Sequence, residues 1–250
     1  MNAAATKKWE LDPSLPITPQ IHRILRERII ENDLIPGDRV SETDIAVAYG
    51  VSRQPIREAF IKLSDQGLLV VRPQRGTFIS KINYVSVLDA RFLREAIEAD
   101  IVQILAADPD ITLIKELESQ VSAQNKCSES DPKAFIHLDE LFHQTLAEAA
   151  GKSGTWTQIE GLKTQMDRAR YLSLSQFPVA NLVQQHASIV ACIREQNIAK
   201  ANFAIRTHLR EVLKDLPQIL GANPNFFELP EGNIPEPVNT PIPQGGNYET

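Results

Sequence analysis

Four side chains in the C-terminal two thirds of the chain have the types and spacing of a metal centre. Asp139 and His143 stand i, i+4, so a helix would place them on one face, together with Phe135, Phe142 and Leu146. His186 falls in the stripe Leu182, Ile189, Ile193, and His208 in the stripe Ala204, Ile205, Val212. Three of only five histidines, with one carboxylate, therefore point toward an apolar interior. An ionised Asp buried alone is costly and needs a cation or strong hydrogen bonds. A shared divalent ion answers all four groups. Three imidazoles and a carboxylate suit zinc, nickel or manganese and leave one or two positions for water or a ligand oxygen. Taken singly, each inward histidine is more often a hydrogen-bonded core residue. His137, about 120° from His143 on the helical wheel, is expected at the surface.

A second set of residues is cationic. Arg53 and Arg57 lie one helical turn apart, just after Ser52 and beside Gln54, and Arg75-Gly76 closes a short basic stretch from Arg72. Arginines at a helix N-terminus can reach phosphate or a guanine edge. The overall charge of −6 and the pI near 5.5 speak against a nucleic-acid partner only if charge is evenly spread. It is not: residues 1–82 hold 12 Lys+Arg against 10 Asp+Glu, whereas 83–220 hold 14 against 18 and 221–250 hold none against 4. Within 51–82 the net charge is +4. A small basic module precedes an acidic body and an acidic, Pro-rich tail.

The positioning elements follow from local signals. Thr18-Pro19 reads as an N-cap and first position, opening a helix over 19–32 with Ile21, Leu25 and Ile29 inward, which Pro36-Gly37 stops. Ser41 caps a second helix, 42–49, and Gly50 suits its C-terminal end. Ser52 precedes a third, 53–66, burying Ile56, Phe60 and Leu63; Pro55 is tolerated because first-turn amides have no intrahelical partner. Leu68–Val71 and Thr77–Ser80 flank the basic turn and read as a hairpin. Three helices and a wing make a winged helix-turn-helix. From residue 85 to about 220 the pattern is helical throughout, with six helices expected at 85–107, 110–126, 132–150, 153–176, 179–196 and 198–220. The fold class is mainly α, a winged helix-turn-helix followed by an all-α bundle. The expected domains are an N-terminal arm, 1–17, the DNA-binding module, 18–82, the helical domain, 83–220, and a tail, 221–250, read as extended or disordered, or as an arm packed on a neighbouring subunit with Phe226 and Phe227 as its anchors.

Other classes are disfavoured. No run of about 18 apolar residues occurs, and the N-terminus lacks the apolar block of a signal peptide, so no membrane partner and a cytoplasmic location are expected. Cys127 and Cys192 form no CxxC pair and read as reduced thiols, Cys192 at a helix contact. No phosphate loop, GxSxG or HExxH pattern is present. Trp156 and Met166 read as core or pocket wall.

The run IPGDRVSETDIAVAYGVSRQPIREAFIKLSDQGLLVVRPQRGTFIS resembles the DNA-binding domain of GntR-family transcription regulators. That resemblance implies that Arg53 and Arg57 grip the operator, with Ser52 and Gln54 beside them and Arg75-Gly76 approaching the minor groove. Many relatives carry a charged residue where this chain has Thr43. The later segments DELFH, QQHASIV and RTHLREV resemble, in order and interval, the metal-binding FCD effector domain of the FadR subfamily. This implies a metal on Asp139, His143, His186 and His208, and a small organic acid effector at or beside it. ARFLREAIEAD matches the RxxxE helix of that family, with Arg94 a carboxylate clamp unless it pairs internally with Glu98. Arg91, Arg168 and Arg170 are further candidates.

The combined expectation is no enzyme but a homodimeric regulator, a repressor by preference, whose binding to double-stranded operator DNA responds to the effector. Two rivals remain at this point: a metal-dependent enzyme acting on a small carboxylate, and a ligand-free dimerisation scaffold.

Overall fold

The computed structural model describes residues 9–127, 132–173 and 179–235. They divide into two compact units, one running to Asn83 and taking in Asn223–Glu228, the other spanning Tyr84–Ala222.

In the first unit α1 (Ile17–Ile30), α2 (Glu42–Tyr49) and α3 (Arg53–Asp65) surround an apolar core that includes Ile21, Leu25, Ile56 and Leu63. Thr18 does not cap α1: the helix begins two residues earlier, at Ile17 after Pro16, and the Thr18 hydroxyl lies 3.3 Å from Glu58 Oε2 on α3 instead. Ser41 does cap α2, accepting from the Thr43 and Asp44 amides, and Gly50 closes it in the left-handed region at φ 64°. Ser52 occupies the N-cap position of α3 but makes no side-chain cap bond, which leaves its exposed hydroxyl available.

The wing contains one strand more than the sequence suggested. Strands β2 (Leu69–Arg72) and β3 (Gly76–Ile79) form the expected antiparallel hairpin, and β1 (Arg39–Val40) pairs on the other side of β3, giving the order β1-β3-β2. A two-residue strand leaves too little alternation to recognise. Phe227 and Glu228 form β5, which runs parallel to β4 (Ile82–Asn83), and Phe227 is buried. The segment read as a tail is thus partly structured, its anchor lying within the same chain. Residues 236–250 and the N-terminal arm up to residue 8 lie outside the described residues.

The second unit is all helical: α4 (Tyr84–Ala107), α5 (Ile111–Cys127), α6 (Pro132–Ala149), α7 (Ser153–Leu162), α8 (Thr164–Ser173), α9 (Ala180–Arg194), α10 (Ile198–Leu209) and α11 (Val212–Ala222). Two expected helices are each divided, after Leu162 and after Leu209. Neither break carries a proline. At each one a cation is drawn inward: Lys163 reaches Glu140 at 2.8 Å and Asp167 at 2.7 Å, and the Arg210 guanidinium closes on Glu95. The 24-residue α4 packs on α6, α8, α9 and α10, so residues on its several faces reach most of the bundle. Trp156 and Met166 are buried, His137 is exposed and Cys192 packs partly buried against the core, all as expected.

Candidate functional site

Helices α6, α9 and α10 bring Asp139, His143, His186 and His208 together, all buried, with one ligating atom from each lying within 4.8 Å of the others. His143 Nδ1 lies 2.6 Å from Glu98 Oε2, His186 Nδ1 lies 2.7 Å from Gln124 Oε1, and His208 Nδ1 lies 3.0 Å from Gln185 Oε1. The two amides are oriented by their other ends: Gln124 Nε2 donates to the Leu138 carbonyl and Gln185 Nε2 donates to Glu211. The amide oxygens on His186 and His208 favour a proton on each Nδ1, and the Glu98 carboxylate stands close against His143 Nδ1 without a hydrogen-bonding alignment, an arrangement that leaves the Nε2 lone pairs facing inward.

Those lone pairs face one another. His143 Nε2 and His186 Nε2 each stand 3.1 Å from His208 Nε2, and His186 Nε2 is 3.5 Å from Asp139 Oδ1. Asp139 Oδ2 is held by Arg170 at 2.7 Å, whereas its buried Oδ1 has no hydrogen bond. Three nitrogen lone pairs and a carboxylate oxygen repel each other unless a cation lies among them. The donor set fits a borderline divalent ion, with the acceptors on Nδ1 acting as the outer supports such ligands require.

Electrostatics agree. Burial pushes the His186 imidazole down to about 3 and holds His208 well below its usual value, with Asp139 partly opposing in both cases. Both rings are thus neutral, as ligation requires. Burial alone would raise the Asp139 carboxyl, but the Arg170 guanidinium beside it holds it well below the ordinary range. Glu98 behaves alike: burial opposes, yet Arg94 and His143 bring it down to about 2.

Beside the cluster lies a pocket of about 60 Å³ whose lining includes Arg94, Arg170 and His208. Arg94 is ion-paired with Glu98, Nε to Oε1 at 2.6 Å, which is the internal pairing its spacing allowed, and it nevertheless lines the pocket. Arg170 is one of several arginines that the sequence alone leaves open. Arg91 instead pairs with Glu95, a carboxylate also gripped by Arg206 at 3.0 Å and by Arg210. Arg168 is fully buried.

In the first unit the proposed contacts lie at the surface. Arg53, Gln54 and Arg57 are exposed at the start of α3. Arg53 Nη2 pairs with Glu42 on α2 at 3.1 Å with 67% of its side chain accessible, a pair weak enough for phosphate to replace. Gln54 Nε2 donates to Glu58 at 3.0 Å. Arg75 is exposed at the wing tip. Gly76 has φ +106°, which favours glycine, and a Cβ there would stand 2.9 Å from Arg39 Nε, at the flexible end of a side chain that would have to shift. Arg39 and Arg72, which stacks at 4.9 Å over Phe78, are wing cations that pattern reading did not single out. The charge count held the signal for Arg72, whereas Arg39 becomes a wing residue only through the β1 pairing.

Residues 17–79 match the model described as bacterial regulatory proteins, gntR family, and residues 89–211 match the FCD domain. The HTH-type transcriptional repressor RspR of Escherichia coli is 35% identical over 224 residues, covering 89% of this chain and 98% of that protein. An uncharacterized HTH-type transcriptional regulator from Streptomyces ambofaciens is 36% identical over 216 residues, 86% of this chain and 91% of that one. Among solved structures, E. coli McbR/YncC aligns with TM-score 0.69 at 17% identity, covering 82% of this chain and 98% of that chain. A putative GntR regulator from Rhodococcus sp. RHA1 aligns with TM-score 0.65 at 24% identity over the same shares. These relatives are regulators and not enzymes, and among the described residues no helix is long and apolar enough to cross a membrane. The chain belongs to the GntR family of DNA-binding transcription regulators, in the FadR-type arrangement with an FCD domain after the winged helix.

Proposed function

We propose that this regulator is a cytoplasmic homodimer that represses transcription and whose operator affinity is set by a small carboxylate bound beside a divalent ion on Asp139, His143, His186 and His208. The observation that carries the reading is the convergence of three Nε2 lone pairs on the unpartnered Asp139 Oδ1, next to a pocket lined by Arg94 and Arg170. Within this site Arg94 and Arg170 offset Glu98 and Asp139 in charge. A bound zinc, nickel or manganese ion supplies the uncompensated positive charge that an anionic ligand would neutralise. Arg94 and Arg170 position the carboxylate, and their ion pairs to Glu98 and Asp139 join it to the ligand set.

On the DNA side Ser52, Arg53, Gln54 and Arg57 enter the major groove at the start of α3, and Arg75-Gly76 approaches the neighbouring groove. One recognition helix makes few base contacts, so a two-fold dimer on an inverted repeat multiplies the specificity. The effector must bind one arrangement of the DNA-binding units better than the other, or it shifts nothing. The test uses duplex DNA selected by the full chain from a random library, with affinity read by fluorescence anisotropy while zinc and small carboxylates are titrated. Zinc with the right acid should change affinity at least tenfold in the wild type and not in His186→Ala. Affinity indifferent to every combination would leave the helical unit a ligand-free scaffold and defeat the reading.

A further inference from the structure

The pocket beside the metal cluster carries both signs of charge. Arg94 and Arg170 line it, and so do Glu211 and Asp215. The two cations are tied to the cluster through Glu98 and Asp139. The two carboxylates follow His208 by three and seven residues: Glu211, in the turn after α10, is joined to His208 through Gln185, and Asp215 stands in the first turn of α11. A volume of about 60 Å³ admits roughly four to six waters, so the occupant has few heavy atoms.

The two carboxylates differ in their partners. Glu211 accepts from Asn181 at 3.3 Å, Gln185 at 3.1 Å and Lys214 at 2.9 Å. Asp215 is half-buried and has no hydrogen bond or ion pair among the described residues. Burial and the neighbouring Glu211 raise its carboxyl to about 6, with Lys214 opposing, the behaviour of a carboxylate short of a counter-ion. A plain acid brings nothing to this side of the pocket. A hydroxyl can donate to Asp215 but leaves its charge uncompensated, whereas an ammonium satisfies both needs.

We propose that the effector is a small amino acid, its carboxylate held by Arg94 and Arg170 and its ammonium received by Asp215 with Glu211. This rests on the carboxylate reading above and adds the second functional group. The experiment is calorimetric titration of the zinc-loaded full chain with glycine, β-alanine, 4-aminobutyrate and 5-aminovalerate. Each is matched against its unsubstituted acid and its hydroxy acid. At one chain length the amino acid should bind at least tenfold tighter than both partners. Asp215→Asn should bring that ratio to about one while the plain acid keeps its affinity. Equal binding of amino, hydroxy and plain acids at every length overturns the ammonium assignment and leaves the carboxylate reading standing. No binding by any series overturns the carboxylate reading and this inference with it.

Discussion

The His186 and His208 imidazoles have their tautomers favoured by the amide oxygens on Nδ1, so those acceptors are as testable as the ligands. Gln124→Leu removes the acceptor from His186 and frees Nδ1 to become the unprotonated nitrogen. Zinc affinity should fall about 10- to 100-fold, read by competition with a chromophoric chelator, with the helical content unchanged. An unchanged affinity would mean that Gln124 does not orient the ring. Acid pH acts on the same residues with a definite sign. An unfolded histidine titrates near 6.5, while His186 in the fold is held near 3 and His208 is also lowered. Below pH 6.5 the unfolded chain takes up protons that the folded chain refuses, so stability is lost as pH falls from 6.5 toward 3. For His186 this amounts to about 2 kcal/mol between pH 6.5 and 5. The melting temperature of metal-free protein should therefore drop by several degrees over that interval. The Asp139–His143 pair and the two single histidines are legible from spacing because polar residues interrupting an apolar stripe are conspicuous. Glu98 is visible only as a partner for Arg94, and Gln124 and Gln185 are not visible at all, because a glutamine on a helix face is ordinary until the fold sets it against a ring nitrogen.

Among the elements, the recognition helix and wing follow from signals that survive folding: Gly50 in the left-handed region, Pro55 in a first turn, and a Gly-containing hairpin. What escapes pattern reading depends on distant partners. The divisions at Lys163 and Arg210 carry no proline to mark them, and β1 and β5 are two-residue strands that exist only by pairing. Gly76→Ala meets a φ of +106° that a side chain rarely adopts, together with the Arg39 guanidinium. It should cost about 1 kcal/mol or more and weaken operator binding, while leaving zinc affinity of the helical unit unchanged. Phe227→Ala removes a 3% exposed ring from the strand that returns to the first unit. A loss of about 3 kcal/mol is expected, seen as lowered denaturant resistance and faster proteolysis within residues 9–83. Resistance equal to wild type would show β5 to be dispensable.

For the whole molecule, the uneven charge governs DNA binding more than its sum does. The acidity sits in the helical unit and the tail, so non-specific affinity should be modest and salt-dependent, and in the proposed function selection rests on the few arginines of α3 and the wing. The double change Arg53→Ala, Arg57→Ala should lower affinity for the selected duplex by at least 100-fold and reduce the slope of log affinity against log salt by about one for each phosphate that is no longer neutralised. Unchanged binding would remove both residues from the interface. In the proposed function, control of that binding requires the cluster in the helical unit to hold a divalent ion, which would neutralise the three lone pairs and the carboxylate oxygen that face one another there. The most direct measurement is an anomalous difference map from crystals of the full chain equilibrated with zinc. One peak per chain is expected, about 2.0–2.2 Å from the Nε2 atoms of His143, His186 and His208 and from Asp139 Oδ1. A cluster without a peak, its imidazoles hydrogen-bonded to one another through Nε2, would contradict it.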